Sequence, residues 1–123
     1  MKNSHTIYTK RIYEAAAEVD GFRILVDRLW PRGISKEGAH IDTWFRDIAP
    51  STSLRTWFHH QEGNWEEFTE RYLAELNTSE VVADFVHLIE KHPVVTLVYA
   101  AKDKEHNHAQ VLKMFIEEAF KAS

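Results

Sequence analysis

The chain reads as an α/β protein, a small mostly parallel sheet with surrounding helices in a single domain over residues 1–123. Three observations predict this. The runs GFRILVD (Gly21 to Asp27) and VVTLVYAA (Val94 to Ala101) are rich in branched and aromatic residues, as in strands covered on both faces. The long stretch between them carries apolar residues at helical spacing. A helix-like segment then follows the second run, so strands and helices alternate as crossover connections between parallel strands require.

Taken in chain order, IYTKRIY (Ile7 to Tyr13) alternates apolar and polar residues, which predicts a half-buried strand at a sheet edge. The loop EAAAEVDG leads to Gly21–Asp27, a central strand that stops at the charged pair Asp27-Arg28. Ile41, Trp44, Phe45 and Ile48 fall at i, i+3, i+4 and i+7, predicting a helix that Pro50 closes. A new helix starts with Ser51 as N-cap and turns Leu54, Trp57 and Phe58 inward, while His59-His60 reads as a solvated turn before the next helix. Asn64 followed by Glu67 forms a capping-box pattern ahead of the stripe Trp65, Phe68, Tyr72, Leu73 and Leu76. Glu80 to Lys91 supplies a further amphipathic helix, and Pro93 marks the exit into the strand Val94–Ala101. The last helix runs from about Asn107 to Lys121, with Val111, Leu112, Phe115, Ile116, Ala119 and Phe120 inward. Trp44, Trp57 and Trp65 read as core residues.

Composition narrows the function. The 15 basic and 19 acidic residues give a formal charge of −4, which argues against a broad nucleic-acid surface and leaves room for a local basic cleft. With no cysteine, disulfides, thiolate metal sites and a cysteine nucleophile are excluded. The first residues lack the apolar core of a signal peptide and no apolar run approaches membrane-spanning length, so a cytoplasmic location without a membrane partner is expected.

The site is expected where two loops meet. If Gly21–Asp27 and Val94–Ala101 are parallel neighbours, their carboxyl ends bring DRLWPRG (Asp27 to Gly33) beside DKEHNHA (Asp103 to Ala109), the position at which α/β sheets bind ligands. In the first loop Pro31 stiffens the chain, Gly33 permits a turn, and Arg28 and Arg32 can each offer paired donors to a phosphate or carboxylate, with Trp30 as pocket wall. In the second, Asn107 with Gln110 three residues on matches a helix cap. His106 and His108 flank it and could act as base or metal ligand, while Asp103 could orient a histidine, accept a proton or pair with an arginine. Asp27, Asp103, His106 and His108 are accordingly the candidate catalytic residues, and Arg28, Arg32 and Gly33 the candidate anion binders. Those four donors could share a metal only if the loops meet, and their spacing specifies no such site, so no metal ligand is assigned. The letters His106-Asn107-His108 do not reproduce the spread geometry of the nucleases called after that pattern. The sequence leaves the cofactor unknown.

The strings LVDRLWPRG, WEEFTERY and VTLVYAAKDKEHNHAQVL carry a resemblance to the YeaO-like branch of the family called domain of unknown function 488, extending over nearly the whole chain from about Lys10. The resemblance implies a compact α/β fold and brings no activity with it. In the wider family the segment corresponding to Asn107-His108-Ala109 often reads Cys-His-Arg, and only His108 is retained here. Two functions fit. One is a small hydrolase or transferase acting on a phosphate-bearing or other anionic substrate. The other is a non-catalytic module that senses a nucleotide, anion or metal ion and lacks any phosphate loop or activated nucleophile.

Overall fold

The sheet has four strands where the sequence marks three. A computed structural model describes residues 5–60 and 64–122. The strands are β1 (Thr6–Arg11), β2 (Phe22–Leu25), β3 (Thr43–Trp44) and β4 (Val94–Tyr99), in the order β1-β4-β2-β3, and every pairing is parallel. The first strand is thus an edge strand and the two apolar runs are central neighbours, with Leu25 opposite Val98. The helices are α1 (Lys36–Ala39), α2 (Thr52–His60), α3 (Trp65–Thr78), α4 (Val82–Glu90) and α5 (His108–Ala122).

The expected helix over Ile41 to Ile48 is not formed. Thr43–Trp44 pairs with Ile24 and Leu25 as β3, and Arg46–Ile48 is a single 3-10 turn. The backbone is drawn out by Asp42 N–H to Arg23 O (2.9 Å) and Phe45 N–H to Leu25 O (2.9 Å), and Asp42 Oδ2 accepts from Arg23 N (2.8 Å). The apolar residues then divide between opposite faces of the sheet. Ile41 and Trp44 join one cluster and Phe45 and Ile48 the other, so the helical spacing coincides with a strand-like alternation followed by a turn. His59 and His60 close α2 as helical residues in place of the expected turn.

Of the two expected capping side chains upstream of the last helix, Ser51 performs as such and Asn64 does not. Ser51 Oγ accepts from Leu54 N (3.1 Å), and Glu75 fixes both its N–H and its hydroxyl. The Asn64 side chain makes no cap hydrogen bond, and only its carbonyl serves the helix, accepting from Phe68 N (3.0 Å).

The larger core lies between the sheet and α2–α5, built from Ile24, Val26, Val95, Leu97 and Tyr99 against Phe68, Tyr72, Phe85, Ile89, Leu112 and Ile116. The opposite face carries a smaller cluster around Leu25 and Val98, roofed by Trp30, Ile34, Ile41 and Trp44. The same face holds a buried ionic group that the sequence does not announce. Asp20, 3% exposed, accepts from Arg23 Nη1 (2.6 Å) and Lys10 Nζ (2.8 Å), while its backbone carbonyl accepts from the Thr96 hydroxyl (2.7 Å). Arg23 spends its remaining donors on the carbonyls of Ala39 (3.0 Å) and His40 (2.9 Å), which ties the chain around α1 to the sheet. Gly21 lets the chain enter β2 at a φ of +67°, where a Cβ would run into the Val94 backbone.

Candidate functional site

Parallel pairing of β2 with β4 brings their carboxyl ends together, and a cavity of about 340 Å³ opens there. Asp27 leaves β2 pointing at the neighbouring strand exit, where Oδ2 accepts from Ala100 N (3.1 Å). His108, the first residue of α5, brings Nε2 to 3.0 Å from Asp27 Oδ1 and 3.1 Å from the Val26 carbonyl. Both neighbours are acceptors and a carbonyl can never donate, so Nε2 carries the hydrogen. That hydrogen is aligned on the carbonyl; Asp27 Oδ1 is buried and has no well-directed donor among the described residues, so its contact with the imidazole is one of proximity. Nδ1 is left as the nitrogen able to accept a proton.

Arg28 lines the cavity, but its guanidinium is committed to the chain. Nε donates to Pro50 O and Nη2 to Ala49 O, both at 3.1 Å, and Asp47 stands at 3.9 Å from Nη1. It secures the corner between the 3-10 turn and α2. A second arginine at the cavity, without such commitments, is Arg55, on the first turns of α2. It lines the same cavity, its Nε is buried, and its guanidinium has no hydrogen-bond or ion-pair partner among the described residues.

Sequence reasoning passed over Arg55, although a signal was present: it sits next to inward Leu54 and three residues before inward Phe58, so one side of its helix turn faces the interior. Lys102, which also lines the cavity, was passed over as well.

Asn107 is buried and caps α5, with Oδ1 accepting from Gln110 N (3.2 Å) and Nδ2 donating to Asp103 O (2.8 Å). The reciprocal half of the capping box is absent, because the Gln110 side chain reaches Thr9 Oγ1 (2.9 Å) and Lys104 O (3.1 Å). Asp103 shapes the loop rather than the cavity: Oδ1 accepts from Glu105 N (2.9 Å) and His106 N (3.0 Å). Those two N–H groups, that of His106 foremost, hold its exposed carboxyl below the usual carboxylate range. His106 lines the cavity and stacks on Trp65 at 4.9 Å, with Nδ1 3.7 Å from Asp103 Oδ2.

The rest of the first loop lies elsewhere. Trp30 is no wall of this cavity; its indole N–H donates to Ile34 O (2.7 Å) and its ring meets Trp44 edge-on in the cluster on the opposite sheet face. Arg32 is exposed outside the cavity and takes part through its carbonyl, which accepts from Tyr13 OH (3.0 Å). Gly33 makes the expected turn, at φ +75°, in open space. The loop turns away after Leu29 because Trp30 is drawn to the far side, so Asp27 and Arg28 stay at the cavity and Arg32 does not. Among the described residues no three acidic or histidine side chains are grouped to hold a metal ion. No helix among them is long and apolar enough to cross a membrane.

Fold and site together define a class: a small parallel α/β protein with an apolar-walled cavity at its strand ends and a carboxylate–imidazole pair at the cavity's edge. The chain belongs to the DUF488-N3i family, described as the inactive DUF488-N3 subclade, whose model matches residues 6–123. It is 47% identical over 106 residues to the Escherichia coli (strain K12) protein named Uncharacterized protein YeaO, covering 86% of this chain and 92% of that one. It is 42% identical over 106 residues to Uncharacterized protein Rv3073c of Mycobacterium tuberculosis (strain H37Rv), covering 86% of this chain and 89% of the relative. No solved structure matches the chain.

Proposed function

We propose that this protein is a cytoplasmic, non-catalytic binding module whose strand-end cavity holds a small anionic molecule. The observation that carries the reading is Arg55, a guanidinium lining a cavity with its Nε buried and no partner among the described residues. The planar guanidinium facing the cavity can offer paired donors to an anionic group. Lys102 and the amino end of α5 add positive potential on the same side. Two further points favour binding over turnover. Among the described residues no hydroxyl or thiol lines the cavity, which leaves the Asp27 carboxylate as its oxygen nucleophile and none of the hydroxyl–base or thiol–base pairs that drive most acyl transfer. The description of the subclade as inactive agrees.

Titration calorimetry with acetate and inorganic phosphate tests the reading. Parent protein binds at least one of them, Arg55→Ala loses tenfold or more in affinity with an unchanged melting temperature, and Arg32→Ala binds like the parent. Absence of binding by the parent, or parental affinity in Arg55→Ala, overturns it.

The Asp27–His108 pair supports a second reading, a hydrolase in which the Val26 carbonyl orients the imidazole beside Asp27 and Nδ1 takes a proton from water. Turnover of an anionic ester or amide that disappears in Asp27→Asn would favour it.

A further inference from the structure

Beside its charged groups, its two histidines and Asn107, the cavity is walled by carbon, with Pro50, Phe58 and Phe68 the largest apolar rings and Leu29 and three alanines around them. Phe58 and Phe68 lie 4.5 Å apart at 32°, and the aromatic cluster continues through Trp65 to His106. Such a wall suits one kind of anion. A phosphate group is hydrated on every oxygen, and pressing it against phenyl rings strips water without returning hydrogen bonds. Asp27 adds a carboxylate to the same cavity, which opposes a dianion more than a monoanion.

Size points the same way. A cavity of roughly 150 Å³ accepts a benzene ring, so the 340 Å³ here has space for a ring and a short acid arm.

We infer that the ligand is a monocarboxylate bearing a flat apolar ring, its ring packed on Phe58 and Phe68 and its carboxylate received by Arg55. The inference rests on the anion-binding reading above and narrows it. Arg55 offers the planar paired donors that match a carboxylate, and Lys102 supplies a second cation at the exposed side. Offset ring packing adds to simple burial of the ring.

Four probes decide it in calorimetric titrations: 3-phenylpropionate, acetate, inorganic phosphate and 3-phenyl-1-propanol. The expected order places 3-phenylpropionate at least tenfold tighter than each of the others, with aromatic ring-proton shifts of the bound probe moved upfield in NMR spectra. Arg55→Ala reduces 3-phenylpropionate to the affinity of the alcohol. Phe58→Leu, chosen because it keeps an apolar contact with Phe68, lowers its affinity several-fold and leaves acetate unchanged. Arg55-dependent binding of acetate or phosphate without a gain for 3-phenylpropionate overturns the inference and leaves the anion site standing. Equal affinity for the alcohol and the acid in the parent, or no binding of any anion, overturns both.

Discussion

His108 illustrates how one hydrogen bond changes the reading of a residue. From its place at the start of the last helix the sequence reads it as a candidate base or metal ligand. Its Nε2 hydrogen is instead committed to the Val26 carbonyl, and its ring closes over the buried Oδ1 of Asp27. Removing the imidazole leaves that carbonyl without this donor and uncovers the Asp27 carboxylate, a loss of about 1–3 kcal/mol. His108→Ala should therefore show a lower urea midpoint than the parent, and equal midpoints would refute the anchoring role. The two arginines at the cavity are separated by the same reasoning. Arg28, prominent in sequence because it follows Asp27, holds the Ala49 and Pro50 carbonyls, so Arg28→Ala should destabilise by about 1–2 kcal/mol. Arg55 has no partner to lose among the described residues, and its substitution should leave the unfolding free energy within about 0.5 kcal/mol of the parent.

At the scale of elements, two asparagines with the same sequence signature diverge. Asn64 and Asn107 each precede a helix and each has Glu or Gln three residues on. Only Asn107 delivers its side-chain oxygen to the helix, because the Nδ2–Asp103 carbonyl bond turns the amide into place; Asn64 has φ −92° and ψ 48°, outside the extended conformation usual for a cap, and its side chain makes no cap bond. Asn107→Ala should cost about 1 kcal/mol in denaturant unfolding, and Asn64→Ala less than about 0.5 kcal/mol. Similar losses in both would mean the two caps are equivalent. The segment Ile41 to Ile48 makes the complementary point, since its apolar spacing satisfies a helix template while pairing with β2 decides for a strand and a turn. A two-residue strand is too short for alternation to register against a 3.6-residue pattern.

At the scale of the molecule, the sheet is covered unequally. Helices α2–α5 bury one face in carbon, whereas the other is closed by loops, α1 and the Asp20–Arg23–Lys10 group. Burial pushes the Asp20 carboxyl up, but Lys10, the Ala17 N–H and Arg23 outweigh it, and the carboxyl ends below its ordinary value. Because the folded state holds the charged form, the contribution is fully present above about pH 4 and is lost as pH falls through the lowered value. Asp20→Asn should be less stable than the parent at pH 7 by about 3 kcal/mol, since it leaves Arg23 buried without its carboxylate. That deficit should shrink as pH falls below about 4, measured as the difference between the two denaturation curves. A deficit independent of pH in that range would show that the ion pair does not anchor this face.

The sequence by itself determined the fold class, the edge and central strands, the helices from Ser51 onward and the junction at which a site could form. These follow from hydrophobic period, caps and prolines, which are local and need no partner to be read. Tertiary structure alone decided the strand order, the third strand in the sequence, the buried charge cluster and the identity of the cavity cation. Each depends on which backbone or carbonyl lies within about 3 Å of a side chain. Arg28 and Arg55 are both arginines beside apolar residues; one finds the Ala49 and Pro50 carbonyls and the other finds no partner among the described residues, a difference that only the folded backbone sets.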